Sequence, residues 1–161
     1  MQKKEFQLSY EEYASDAELP AADMALLNAA RAATAHAYAP YSHFRVGAAA
    51  RLENGTIITG TNQENASFPA GICAERTLLS VAGAQHPGIA IDTLAISYDN
   101  ENGPSDRPIS PCGICRQSLQ EFEQRTGRPV RLVLGGREGK IFVIPRASGL
   151  LPFAFTGDEL K

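Results

Sequence analysis

The chain has 161 residues, 43% hydrophobic and 20% charged, enough for one globular domain with a substantial core. Its formal charge of −3, with no basic run longer than Lys3-Lys4, argues against a polynucleotide partner, which needs a cationic stripe. Residues 1–20 lack the apolar core of a secretory leader, no stretch reaches the ~18 apolar residues of a membrane span, and three cysteines fit a reducing compartment; a cytoplasmic location is expected.

Phe6, Leu8 and Tyr10 alternate at period two, the pattern of a short edge strand or of an arm over a neighbouring subunit. An alanine-rich stretch from Pro20 to about Ala37 reads as a helix. Pro20 suits its first turn and Asp23 its positive end, while Ala22, Leu26, Ala30, Ala33 and Ala37 share one face. Strands over 46–52 and 56–62 flank Asn54-Gly55, a dipeptide that readily takes the positive φ values of a tight hairpin. A second helix is predicted from Cys73 to about Ala84, a buried strand over 91–98, and a polar loop over 99–110. A third helix follows from about Cys112 to Gln124, then a strand over 130–134.

Only six residues, Gly135-Gly136-Arg137-Glu138-Gly139-Lys140, lead from there to the last strand, 141–144. A parallel crossover takes a dozen residues or more, so this final pair is predicted antiparallel, whereas 91–98 and 130–134, with a helix between them, are predicted parallel. The expected fold is α/β, a three-layer sandwich around a five-stranded mixed sheet with its last two strands antiparallel. It forms a single domain over 1–161, with 1–20 as an N-terminal extension.

All three cysteines fall in two clusters, Cys73-Ala74-Glu75 and Pro111-Cys112-Gly113-Ile114-Cys115. Cys112 and Cys115 have the C-x-x-C spacing that lets two thiolates grip one metal ion, and Cys73 offers a third sulfur. Three protein ligands leave one corner of a tetrahedral zinc open, which marks a catalytic rather than a structural site. Cys73 and Cys112 both stand where helices begin, and the positive helix end favours thiolate over thiol. Three thiolates over-neutralise a dication, so Arg76 and Arg116 are expected to offset them by hydrogen-bonding the sulfurs, unless they are ordinary helix-surface arginines. Glu75, two residues from Cys73, is the expected general acid–base; a first-turn glutamate complementing the helix dipole is its plainer role. Of the three histidines, only His43 is a serious candidate for a fourth ligand that would close the site.

With these motifs the sequence resembles the small, homotetrameric cytidine deaminases from about Ala21 to Leu160. The resemblance is carried by Tyr38–Ala48, Asn62–Ser67, Pro69–Thr77, Ser110–Gln117 and Leu150–Phe155, in that order. It implies one zinc per subunit on Cys73, Cys112 and Cys115, with Glu75 as proton carrier. It also implies that Asn62 and Glu64 bind the ribose 3′-hydroxyl and that Phe44 packs on the pyrimidine, although an aromatic there could equally be core. The Ala74 N–H would meet the base carbonyl and the Ser110 C=O the 4-amino group, while Phe155 would reach the base from a neighbouring subunit. The implied reaction is hydrolytic deamination of cytidine and 2′-deoxycytidine in pyrimidine salvage, on free nucleoside, with neither nucleic acid nor membrane as partner.

Two positions depart from the pattern: Phe68 stands where many relatives carry Tyr, and Phe153 where relatives often carry a smaller residue. A nucleoside-antibiotic deaminase shares the zinc motifs, but Asn62, Glu64 and the Tyr41–Gly47 segment favour cytidine. The acidic balance and the short last connection set the chain apart from nucleic-acid editing relatives, which usually place a helix between those strands. A non-catalytic zinc protein that lost activity would not need every expected catalytic residue, and all are present.

Overall fold

The computed structural model describes residues 1–160. In chain order the elements are β1 (Glu11–Tyr13), α1 (Ala21–Ala33), β2 (Phe44–Leu52), β3 (Ile57–Thr61), α2 (Ala74–Gln85), β4 (Ile91–Asn100), α3 (Gly113–Thr126), β5 (Arg131–Gly135) and β6 (Ile141–Ile144). They form one mixed sheet in the order β1-β6-β5-β4-β2-β3. As the connection lengths require, β4 and β5 are parallel with α3 crossing between them, and β5 and β6 are antiparallel.

The sheet has six strands rather than the expected five. The extra one is β1, whose Glu11, Glu12 and Tyr13 pair with Val143, Phe142 and Ile141 of β6. An uncovered β6 would present a row of open backbone donors and acceptors, and β1 satisfies them. The alternating Phe6, Leu8 and Tyr10 lie upstream of the paired residues and are exposed. Tyr10 still reaches the sheet through its ring, 4.9 Å from that of Phe142.

Period-two alternation sorts the central strands between two cores. Ala48, Ala50, Leu94, Ile96, Leu132 and Leu134 face α2 and α3. Ala49, Ala95 and Val133 face α1, where their small size lets the helix lie close. Gly47 carries this furthest: a Cβ there would stand 2.1 Å from the Ala30 carbonyl oxygen. On the other side, a Cβ at Gly60 of β3 would stand 2.5 Å from both the Ala74 oxygen and the Leu78 nitrogen, so this glycine seats the first turn of α2 on the sheet.

Helix α1 buries Leu26, Ala30 and Ala33 of its expected face and differs from it only at the ends. Its buried residues are Asp23, Leu26, Leu27, Ala30 and Ala33; Ala22 is exposed, and Ala37 lies beyond the helix, after a 3-10 turn over Thr34–His36. Burying Asp23 is tolerable because Arg131 donates two hydrogen bonds to its carboxylate, at 2.8 and 2.7 Å. At the β2–β3 hairpin only Gly55 takes a positive φ, 86°, while the Gly55 N–H donates to Leu52 and Asn54 Oδ1 accepts from the Thr56 N–H.

Candidate metal centre and nucleoside pocket

Cys73 immediately precedes α2 and Cys112 immediately precedes α3, each in extended conformation with its carbonyl accepting the first helical hydrogen bond. Neither side chain caps its own helix, so both sulfurs are available to an ion. Cys115 lies on the first turn of α3 and is fully buried. The three Sγ atoms lie within 4.8 Å of one another, with Cys73–Cys112 at 3.7 Å and Cys112–Cys115 at 3.4 Å. A tetrahedral zinc with ~2.3 Å bonds separates its sulfurs by about 3.8 Å, so the donors fit that ion in type and spacing. Among the described residues no histidine joins the group; His43 instead faces Glu101, with Nδ1 at 3.1 Å from Oε2.

The surroundings favour thiolate at Cys73 and oppose it at Cys115. Hydrogen bonding from Cys115 is the largest influence on the Cys73 thiol and, with Cys112 and the charge of Arg76, brings it down to about 6. Hydrogen bonding to Cys73, with burial, pushes Cys115 the other way. Glu75 is 5% exposed. Burial is the main cause that raises its carboxyl above the usual range, and the charge of Cys73 acts in the same direction. Its own backbone N–H and Cys115 pull it partly back, which places the carboxyl within electrostatic reach of two of the sulfurs. A buried carboxyl whose proton affinity is raised, beside a metal centre, is suited to proton carriage.

The two arginines do not hydrogen-bond sulfur. Arg76 acts on Cys73 through charge and lies in the cleft between α2 and α3 with Leu79, Phe122 and Arg125. Arg116 donates from Nε to the Pro111 carbonyl at 2.8 Å and from Nη1 to the Leu150 carbonyl at 3.2 Å. Carbonyls on either side of Arg116 satisfy its planar fork, so it braces the loop carrying Cys112 instead of the sulfur itself.

Beside Cys73 opens a cavity of about 520 Å³, lined among others by Tyr41, Ser42, Asn62, Glu64, Phe68 and Cys73. The sugar-binding candidates therefore share one space with Cys73 of the metal centre. Asn62 Oδ1 accepts from the Val46 N–H at 2.7 Å and its amide donates to the Phe44 carbonyl at 2.9 Å, fixing the side chain against the start of β2. Glu64 Oε2 accepts from the N–H groups of Tyr41 and Ser42 at 2.9 and 3.2 Å. The Ser42 hydroxyl is the largest cause holding the Glu64 carboxyl below its ordinary value, and these two N–H groups add to it.

Other expected residues lie around this space rather than on its wall. Phe44 stacks on Tyr98, with ring centroids 4.9 Å apart and planes 17° from parallel. Ala74 is fully buried as the first residue of α2, where its N–H has no helical acceptor, and Ser110 is exposed just before Pro111. Phe155 is 59% exposed and outside the cavity lining, its carbonyl held by Gln117 Nε2 at 2.8 Å. Sequence reasoning missed what Ser42, Gln117 and Glu101 do. Ser42 and Gln117 lie inside the quoted motifs, but which atoms they serve depends on segments distant in the chain.

Residues 20–128 match the family described as the cytidine and deoxycytidylate deaminase zinc-binding region, and the chain belongs to that family. Cytidine deaminase from Halalkalibacterium halodurans is 38% identical over 125 residues, covering 78% of this chain and 87% of the relative. That from Sporosarcina psychrophila is 38% identical over 137 residues, covering 84% and 93%. Among solved structures, cytidine deaminase from Burkholderia pseudomallei aligns with a TM-score of 0.70 and 41% identity over 81% of this chain and 97% of that one. The protein is an enzyme of the cytidine deaminase kind, and its metal is zinc, for which the three cysteines are the fitting ligands.

Proposed function

We propose that the protein hydrolyses cytidine and 2′-deoxycytidine to uridine and 2′-deoxyuridine, releasing ammonia, and serves pyrimidine salvage in the cytoplasm. The observation that carries this reading is the convergence of three sulfurs with the buried carboxyl of Glu75, at the end of a cavity that also holds Asn62 and Glu64. Zinc on Cys73, Cys112 and Cys115 supplies Lewis-acid activation of water at neutral pH. Glu75 takes a proton from the attacking water and delivers it to N3 of the pyrimidine. It then carries the second water proton to the departing amine, so the C4–N bond breaks, ammonia leaves and oxygen stays on C4.

The Ala74 N–H donates to the base carbonyl, and the Ser110 carbonyl accepts from the 4-amino group, orienting C4. Glu64, kept ionised by Ser42, accepts from the sugar 3′-hydroxyl; the second N–H of Asn62, not used on β2, donates to the same hydroxyl. Phe155, exposed on its own protomer, closes the pocket of a neighbour in a homotetramer, while Phe44 stiffens the entrance by stacking on Tyr98. The domain spans the whole chain, with β1 fastening the extension over 1–20 to the sheet.

An ultraviolet assay with cytidine and with 2′-deoxycytidine, with and without a chelator, tests the reading. Chelator-sensitive loss of the cytosine absorbance is expected with both substrates; turnover that survives complete zinc removal would overturn it.

A further inference from the structure

The turn that presents backbone donors to Glu64 ends on a residue in an unfavourable conformation. His43 has φ = 55°, in the left-handed region that glycine enters freely and that other residues occupy uncommonly, histidine more often than β-branched ones. Its N–H closes the turn on the Ala39 carbonyl at 3.1 Å. The same turn leaves the N–H groups of Tyr41 and Ser42 both aimed at Glu64 Oε2. The end of β4 holds this geometry from outside: the Glu101 N–H donates to the His43 carbonyl at 3.0 Å, and Glu101 Oε2 meets the His43 ring at 3.1 Å. Asn102 adds a bond from Nδ2 to the Ser42 carbonyl at 3.0 Å. The cavity wall formed by Tyr41 and Ser42 is thus latched to a loop that takes no part in the lining.

We propose that His43, held in its left-handed conformation by Glu101, is a positioning residue that aims Glu64 at the sugar hydroxyl and so sets how strongly the enzyme distinguishes a nucleoside bearing that hydroxyl from one lacking it. The inference rests on the reading of Glu64 as the sugar-binding carboxylate. Strain maintained beside a binding carboxylate has a direct use here. If residue 43 relaxed to an ordinary negative φ, the turn would reopen, the two amides would rotate away, and Glu64 would be free to leave the hydroxyl's position. Neither the metal centre nor Glu75 lies on this turn, so the loss should fall on recognition of the sugar rather than on the chemical step.

The test compares kcat and KM for cytidine and 3′-deoxycytidine in the zinc-loaded enzyme and its variants. E64A should lower the preference for cytidine about tenfold or more, the effect of losing a hydrogen bond to a charged group. H43V, whose branched side chain resists a positive φ, should lower the same preference several-fold through KM, with kcat for cytidine little changed. H43G, which adopts that conformation freely, should retain the preference. Should H43V fail to fold, E101A supplies the test: it should lower the preference, and H43G introduced into E101A should restore it. A folded H43V, or E101A, with the native preference would overturn the positioning role while leaving Glu64 in place. Native preference in E64A itself would overturn the sugar reading of Glu64, and the role of His43 with it.

Discussion

Arg116 and Leu150 are joined across 34 positions of sequence, the guanidinium Nη1 donating to the carbonyl oxygen at 3.2 Å while Nε holds the Pro111 carbonyl at 2.8 Å. One side chain thereby ties the residue before Cys112 to the segment that leads to Phe155. R116A should loosen both ends, weakening zinc retention and raising KM together. R116K, which keeps the charge but cannot span two carbonyls with a planar fork, should recover only part of the loss. Zinc content by elemental analysis alongside steady-state kinetics checks this; unchanged values in R116A would show that the brace is dispensable.

Glu75 is buried next to sulfur with its carboxyl raised chiefly by desolvation. E75Q preserves the shape and removes the proton carrier. Zinc should remain bound while turnover falls by at least about a hundredfold, the scale of a lost general acid–base. A zinc-loaded E75Q with near-native kcat would remove Glu75 from the mechanism.

The Asp23–Arg131 pair is shielded on the aspartate side, where the side chain is 6% exposed, and more open on the arginine side, at 32%. Truncating Asp23 leaves a guanidinium that can still find water, so D23A should destabilise the fold by roughly 2 kcal/mol rather than the larger cost of stranding a fully buried charge. Denaturant unfolding of D23A and of the double variant with R131A measures the coupling. No coupling between the two would mean that the pair contributes only packing.

Asp16 is held below its ordinary carboxylate value by hydrogen bonds from Arg31. Because its folded value is depressed, the pair stabilises the protein above the unfolded aspartate value, about 3.9, and that contribution is lost as pH falls through the folded value. The Asp16 side chain is 42% exposed, which solvent screening limits to a fraction of a kcal/mol. D16N should lower the melting temperature slightly at pH 7 and have no effect near pH 2. An equal deficit at both pH values would assign the effect to something other than the ion pair.

Removal of residues 1–13 strips β1 from β6 and exposes an edge strand containing Ile141, Phe142, Val143 and Ile144. The truncated protein should aggregate on concentration, as uncovered apolar edges do. Light scattering of the truncated and full chains at equal concentration decides this; equal solubility would show that the edge is protected by other means.

The features legible in the sequence are those in which neighbouring residues carry the physics. Helices begin at Cys73 and Cys112 in consequence of local chemistry, the C-x-x-C spacing is itself a metal grip, and the five residues between β5 and β6 leave room only for an antiparallel return. Tertiary structure alone decided the partners. Asp23 is buried at the start of α1 where Arg131, 108 positions away, arrives to meet it. Arg116 and Arg76 looked suited to the sulfurs, yet Arg116 found carbonyls at Pro111 and Leu150 instead. His43 entered the left-handed region, and it is Glu101, from the end of β4, that meets its ring and its carbonyl there. Periodicity and spacing are properties of consecutive residues, whereas a hydrogen bond goes to whichever group folding brings within 3 Å or so, and that choice belongs to the whole chain.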